Sequence, residues 1–159
     1  MAAAPLSSRR RLWGVAAALA VVAVTTAGCV PTGGGGAGGG DLLVLVNDAR
    51  AAQGLGPLAP CGKLDAAASV HARDMWTNNF NSHTGSDGSS AAVRAQRQGY
   101  DWTAVGENIA WGYQTEAAVF DNWIGSSGHR ANILNPGFVH HGWARYGDRW
   151  VQVFGTGTC

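Results

Sequence analysis

Gly106-Glu107-Asn108-Ile109-Ala110 and, some twenty residues on, Trp123-Ile124-Gly125-Ser126-Ser127-Gly128-His129-Arg130-Ala131-Asn132-Ile133-Leu134 are the stretches that decide how this chain folds. With Asn81-Ser82-His83 upstream, they supply two imidazoles and one carboxylate. Such a set binds a divalent metal or moves a proton if the fold brings the three together. Glu107 begins a run of strand-forming residues, where a carboxylate is unfavourable by propensity and needs an internal partner or a site. His129 follows Gly128, whose freedom lets the backbone turn sharply and lets another group approach closely.

Around these motifs the pattern is that of one mixed domain. Leu42, Leu43, Leu45, Val46 and Ala49 give a helix over 41–53 an apolar face, with Asp41 as its cap and Gly54 as its stop. Leu64, Ala67, Ala68, His71 and Met75 share a face of a second helix ending near residue 78. A polar, Gly-containing loop over 79–90 carries His83, and a short helix over 91–98 stops at Gly99. Residues 108–112 read as a short strand. Thr115 caps a helix over 116–124, and 128–136 reads as one irregular turn. The end is a hairpin, 139–146 and 149–155 around Gly147-Asp148. On it, Val151 and Val153 face one side and Trp150, Gln152 and Phe154 the other. Helices with a small antiparallel sheet imply an α+β layered domain.

The N-terminus is read apart from the domain. Arg9, Arg10 and Arg11 precede an apolar stretch from Leu12 to Ala27, and small residues close it. Residues 1–28 therefore read as a signal peptide, too short in its apolar part for a spanning helix of about 20 residues. Cys29 directly after Ala27-Gly28 resembles a bacterial lipobox, with Thr26 departing from the usual aliphatic residue; lipidation is expected on Cys29. Ser8-Arg9-Arg10 also resembles a twin-arginine signal, so either export route is compatible. Residues 29–40, mostly Gly, read as a flexible tether, and 41–159 as one domain with one core.

Assigning Cys29 to lipid leaves Cys61 and Cys159 as a pair in an oxidising compartment. Their disulfide would close a loop of close to 100 residues, for which the chain-entropy model gives about 4–5 kcal/mol at most. After residue 40 there are eight basic and ten acidic residues, and Lys63 is the one lysine. No basic stripe exists, which argues against nucleic acid as a partner.

Other candidates carry blander readings. His71 lies on an apolar helix face and is expected to be a hydrogen-bonded core or rim residue. His140 and His141 are adjacent in a strand and point to opposite faces. Ser126 and Ser127 lack the Gly-x-Ser-x-Gly elbow of a serine hydrolase. Six of the seven Trp residues lie in the domain, as core or as rings able to stack on sugars or lipid.

The motifs occur in a recognisable order: Asn47-Asp48-Ala49-Arg50, Gly54-Leu55-x-Pro57-Leu58, Asn81-Ser82-His83, Gly106 to Ala110, Trp123 to Leu134, and Val151-Gln152-Val153-Phe154-Gly155. Together they resemble the CAP superfamily of cysteine-rich secretory, antigen 5 and pathogenesis-related proteins, in its bacterial SCP-like extracellular branch. The resemblance covers essentially Asp41 to Phe154. It implies a three-layer α–β–α sandwich with a central cleft. In that cleft Glu107 matches the Glu of the Gly-Glu-Asn motif, His129 the His of the Gly-His motif and His83 the bacterial Ser-His. Ser126 stands where eukaryotic members carry a second Glu, and Asp87 or Asp121 would have to compensate.

The expected role is a surface-anchored binding module for lipid, sterol-like or glycan material of the envelope, or for a host molecule, with the N-terminal anchor as its one membrane contact. His83, Glu107 and His129 would form the polar floor, and Asn108, Trp111, Tyr113, Trp123 and Ser126 would contact the ligand. The alternative is a metal-assisted hydrolase of peptide or cell-wall bonds. No cofactor is assigned, but zinc or another divalent ion on His83 and His129 would activate water, with Glu107 as general base. A third reading has the trio merely knitting loops together by hydrogen bonds.

Overall fold

The structure, a computed structural model, describes residue 1 and residues 41–159; the signal, Cys29 and the tether lie outside the described residues. Helix α1 (Asp41–Ala51) opens the domain. Its second amide, that of Leu42, donates to Glu116 at 2.6 Å, so a helix N-terminus is closed by a carboxylate distant in sequence. Helix α2 (Gly62–Thr77) buries Leu64, Ala67, Ala68, His71, Ala72 and Met75, the expected stripe. Helix α3 (Ala91–Arg97) is capped by Ser90, whose hydroxyl accepts from the Val93 amide. Helix α4 (Glu116–Gly125) is capped in the same way by Thr115 on Ala118.

Four strands form one sheet in the order β1-β3-β4-β2. Strands β3 (His140–Tyr146) and β4 (Arg149–Thr158) make the expected hairpin, with Gly147 at φ +60 supplying the left-handed position of its turn. Strand β2 (Asp101–Trp111) pairs antiparallel with β4 and is an outer strand. It starts seven residues earlier than its apolar pattern suggests. Residues 101–104 are exposed on both faces, so backbone pairing alone extends the ladder there and hydrophobic alternation is silent. Strand β1 (Ala59–Pro60) joins β3 in parallel at the opposite edge. Pro60 is tolerated because an edge strand leaves one row of amides unpaired.

Helices cover both faces of the sheet. One apolar cluster joins α1 and α4 to Phe138, Trp143, Trp150 and Phe154, with Ile133 wedged between. The other joins α2 and Ala95 to Ile109, Val151 and Val153. The alternation expected along β4 is therefore observed, and the architecture is the α–β–α sandwich. Gly142 allows α2 to lie against β3: a Cβ there would sit 2.4 Å from the backbone of Leu64 and Asp65. Asp65 then accepts from the Trp143 amide at 2.8 Å.

The segment expected as an irregular turn is a short helix, α5 (Ser127–Ile133), separated from α4 by the extended residue Ser126. Gly128 lowers its propensity, but tertiary partners hold it. Ile133 is fully buried. Arg50, 2% exposed, donates Nη1 to the carbonyls of Ile133 and Asn135, both at 2.8 Å. A cation thus closes the carbonyl end of α5.

Cys61 and Cys159 are bonded, across 98 residues of sequence. Among the described residues no helix is long and apolar enough to cross a membrane. Replacing Cys159 by Ser is expected to remove about 2–5 kcal/mol of stability. A urea midpoint unchanged from wild type would show that the bond constrains nothing.

Candidate functional site at the open edge of the sheet

The Gly-Glu-Asn motif is split by the pleat of β2. Successive residues of a strand point to opposite faces. Glu107 faces α2 and α3, while Asn108 faces α5. Gly106, between Phe138 and Asn132, leaves no room for a side chain: a Cβ would lie 2.8 Å from the Phe138 ring. The motif is a junction where both helical layers grip one outer strand.

Glu107 is the centre of the first grip. Its side chain is 4% exposed. Oε2 accepts from Nη2 of Arg94 at 2.6 Å, and Oε1 accepts from Nδ1 of His83 at 2.8 Å. Arg94 is itself buried and spends its other donors on the carbonyls of Ser89 and His83, at 2.7 and 3.1 Å. The 78–90 loop is thus fastened to the sheet through one guanidinium and one carboxylate. Removing one partner of such a buried pair typically costs about 3–5 kcal/mol, because the other charge stays buried and unpaired.

His71 behaves as the core histidine expected. It is fully buried, its Nε2 lies 2.8 Å from the Ser82 carbonyl and 3.9 Å from Glu107. A carbonyl only accepts, so Nε2 carries the proton and Nδ1, which has no partner, is a bare lone pair. Burial lowers the pKa of His71, and the Glu107 charge opposes that effect.

His83 and His129 are driven in opposite directions. The hydrogen bond to Glu107 raises the pKa of His83, against the effect of burial. Burial lowers that of His129, and the charge of His83 lowers it further. Between the two values one imidazole is a cation while its neighbour is neutral, the arrangement by which paired groups divide acid and base roles. His83 donates through Nδ1, which leaves Nε2 free on a side chain 58% exposed. Nδ1 of His129 is buried without a partner.

The second grip is an amide ladder. Asn108 donates to the His129 carbonyl at 3.1 Å and to Oε1 of Gln152 at 3.0 Å. Asn132 donates to Oδ1 of Asn108 at 2.8 Å and to the Glu107 carbonyl at 3.0 Å. Gln152 then donates from Nε2 to Nε2 of His141 at 2.9 Å, so His141 is neutral with its proton on Nδ1. Burial pushes the His141 pKa down to about 3. The ladder fixes the backbone of α5, and with it His129, relative to β2.

Beside the second grip lies a cleft of about 340 Å³ lined by Ile109, Ala110, Trp111, Tyr113, Asn122 and His129; of the expected polar floor only His129 is on its wall, not His83 or Glu107. Trp111 is 52% exposed on its wall. Three residues expected to touch a ligand, Trp123, Asn108 and Ser126, do not line it. Trp123 is fully buried and donates its indole N–H to the Ile109 carbonyl at 3.2 Å, because its ring fills the core between α4 and the sheet. Asn108 is fully buried and its amide is consumed by the ladder. Ser126 forms the break between α4 and α5. Asp87 accepts from Arg97 and the Ser89 amide, so it does not replace the missing Glu. Arg94 was not anticipated: on a short helix with Arg97 it reads like a solvated charge.

The donor set does not fit a divalent ion held by two imidazoles and carboxylates. Both oxygens of Glu107 are engaged, one by a cation, and among the described residues no three His, Cys, Asp or Glu side chains are placed to hold a metal ion. Two imidazoles alone fall short of the three protein ligands of a catalytic zinc.

A model of the cysteine-rich secretory protein family, CAP, matches residues 43–154. The chain belongs to this family. It is 37% identical over 112 residues to the uncharacterized protein YkwD of Bacillus subtilis, an alignment covering 69% of this chain and 44% of that one. It is 34% identical over 101 residues to the uncharacterized membrane protein YlbC of the same organism, covering 64% and 29%. The chain thus spans less than half the length of these curated relatives. An extracellular protein containing an SCP domain from Bacillus anthracis superposes with a TM-score of 0.70 at 32% identity, over 72% of this chain and 38% of that one. An outer surface protein of Borrelia burgdorferi shares the fold at 21% identity and a TM-score of 0.69, over 74% and 90% of the two chains.

Histidine titration by NMR checks the site. In the wild type His83 is expected to titrate above 6.5 and His129 below it. In Glu107→Gln the His83 value should fall. Because the His83 pKa is raised by folding, its contribution to stability is fully present below 6.5 and is lost as pH rises through the folded value. A His83 value indifferent to the substitution would contradict the geometry.

Proposed function

We propose that this chain is an exported bacterial CAP domain that binds glycan of the cell envelope in the cleft beside β2, held near the membrane by a lipid on Cys29. The observation that carries this reading is the cleft wall itself. Trp111 and Tyr113 offer ring faces, while Asn122 and His129 offer polar edges, in one open space. A sugar presents both an apolar face of C–H groups and a rim of hydroxyls, which matches that mixture. Extracellular and surface placement is supported by the two solved relatives, one extracellular and one an outer surface protein.

The same geometry counts against the hydrolase reading. As the general base of that reading, Glu107 would need an oxygen facing the substrate water. Glu107 has none free, and it orients His83 instead.

Chitotetraose, a neutral oligosaccharide, is the probe. Calorimetric titration is expected to show saturable binding that weakens about tenfold, roughly 1.4 kcal/mol, in Trp111→Ala and in His129→Ala. Saturable uptake of cholesterol or palmitate with no sugar binding would replace this reading by the lipid one.

A further inference from the structure

The end of the sheet at the Gly147-Asp148 turn carries a feature that meets the cleft only at Trp111. Trp76 is 47% exposed, Tyr146 42% and Trp111 52%, all at this one end. Register places Tyr146, Arg149 and Trp111 in one row across three strands. Strand spacing sets the ends of that row about 10 Å apart. Trp76, at the end of α2, stacks over the Arg149 guanidinium at 5.8 Å, and the Arg73 guanidinium stands over the Tyr146 ring at 5.9 Å. Rings and guanidinium groups therefore alternate.

Charge is uneven here. The domain has eight basic and ten acidic residues, yet Arg73, Arg145 and Arg149 gather at this end against Asp148. Asp148 is taken by Arg149. Arg145 spends its donors on Gln114 and Gly147. Arg73 is exposed and has no carboxylate partner among the described residues.

We infer that Trp76, Tyr146, Trp111 and Arg73 form a second binding surface, for an acidic polysaccharide: the rings cover sugar faces and Arg73 pairs with a sugar carboxylate. Arg suits this task because its planar fork meets a carboxylate in two parallel hydrogen bonds and stays charged while stacked on a ring. A membrane is a poorer occupant. The exposed large apolar residues of the domain are Val, Trp and Tyr, with no exposed Leu, Ile or Phe to insert, and the patch has no lysine. The surface shares only Trp111 with the cleft, so it stands or falls independently of the cleft's ligand.

The test uses the purified full chain, an octagalacturonate, neutral malto-octaose, and phosphatidylglycerol vesicles, read by tryptophan fluorescence and calorimetry. Octagalacturonate is expected to bind and to weaken about fivefold or more in Arg73→Gln and in Tyr146→Ala, with affinity falling as salt is raised. Both positions are exposed, so the fold is expected to persist; circular dichroism verifies it. Malto-octaose should be insensitive to Arg73→Gln. Octagalacturonate binding that ignores both substitutions, or no such binding, overturns the inference while leaving chitotetraose in the cleft unaffected. Failure of chitotetraose alone overturns the cleft reading and not this one. Binding to vesicles without binding to octagalacturonate assigns the patch to lipid and overturns the inference.

Discussion

A carboxylate taken out of water and answered by a buried guanidinium is the constraint on which the rest of this site depends. Glu107 would be intolerable on a strand facing a helical layer unless it were paired. Arg94 supplies the pair, and in doing so draws α3 against β2. The remaining oxygen is then available to one further donor, and His83 takes it. From that single arrangement follow the placement of the 78–90 loop, the tautomer of His83 and the upward displacement of its pKa. The carboxylate is better described as an anchor than as a reactive group.

The two faces of β2 explain why three adjacent residues act together. Glu107 secures the loop that bears one histidine, and Asn108 secures the helix that bears the other. Gly106 lets Phe138 and Asn132 close against the strand. His129 lines the cleft from the α5 side, while His83 stands with Glu107 on the other face of this outer strand. An edge strand is normally a liability; here side chains from both helical layers fasten it. Arg50 acts at a distance, holding the far end of α5 through backbone carbonyls alone.

Much of this was legible in the sequence. The stripe of α2, the caps at Thr115 and the hairpin all follow from local periodicity or turn chemistry, and the disulfide from cysteine arithmetic in an oxidising compartment. The motif order identified the family, and with it the three-layer arrangement. What escaped has a common cause, since each depends on contacts distant in sequence. β2 extends through residues with no buried face, β1 is two residues long, and α5 forms despite Gly128 because Arg50 and Ile133 hold it. Trp123 and Trp111 look alike in sequence, yet one fills the core and the other stands in solvent. Arg94 gave no signal, because an arginine on a short helix reads as a solvated charge until its partner is located.

The central claim is that Arg94 and Glu107 form one buried unit, and a double-mutant cycle tests it most directly. Glu107→Leu, Arg94→Met and the double variant would be compared by urea denaturation at neutral pH. The account predicts that each single variant loses several kcal/mol, about 3–5, while the double variant recovers much of that loss, because no buried charge is left unpaired. Additive losses, with the double variant the least stable of the three, would contradict it.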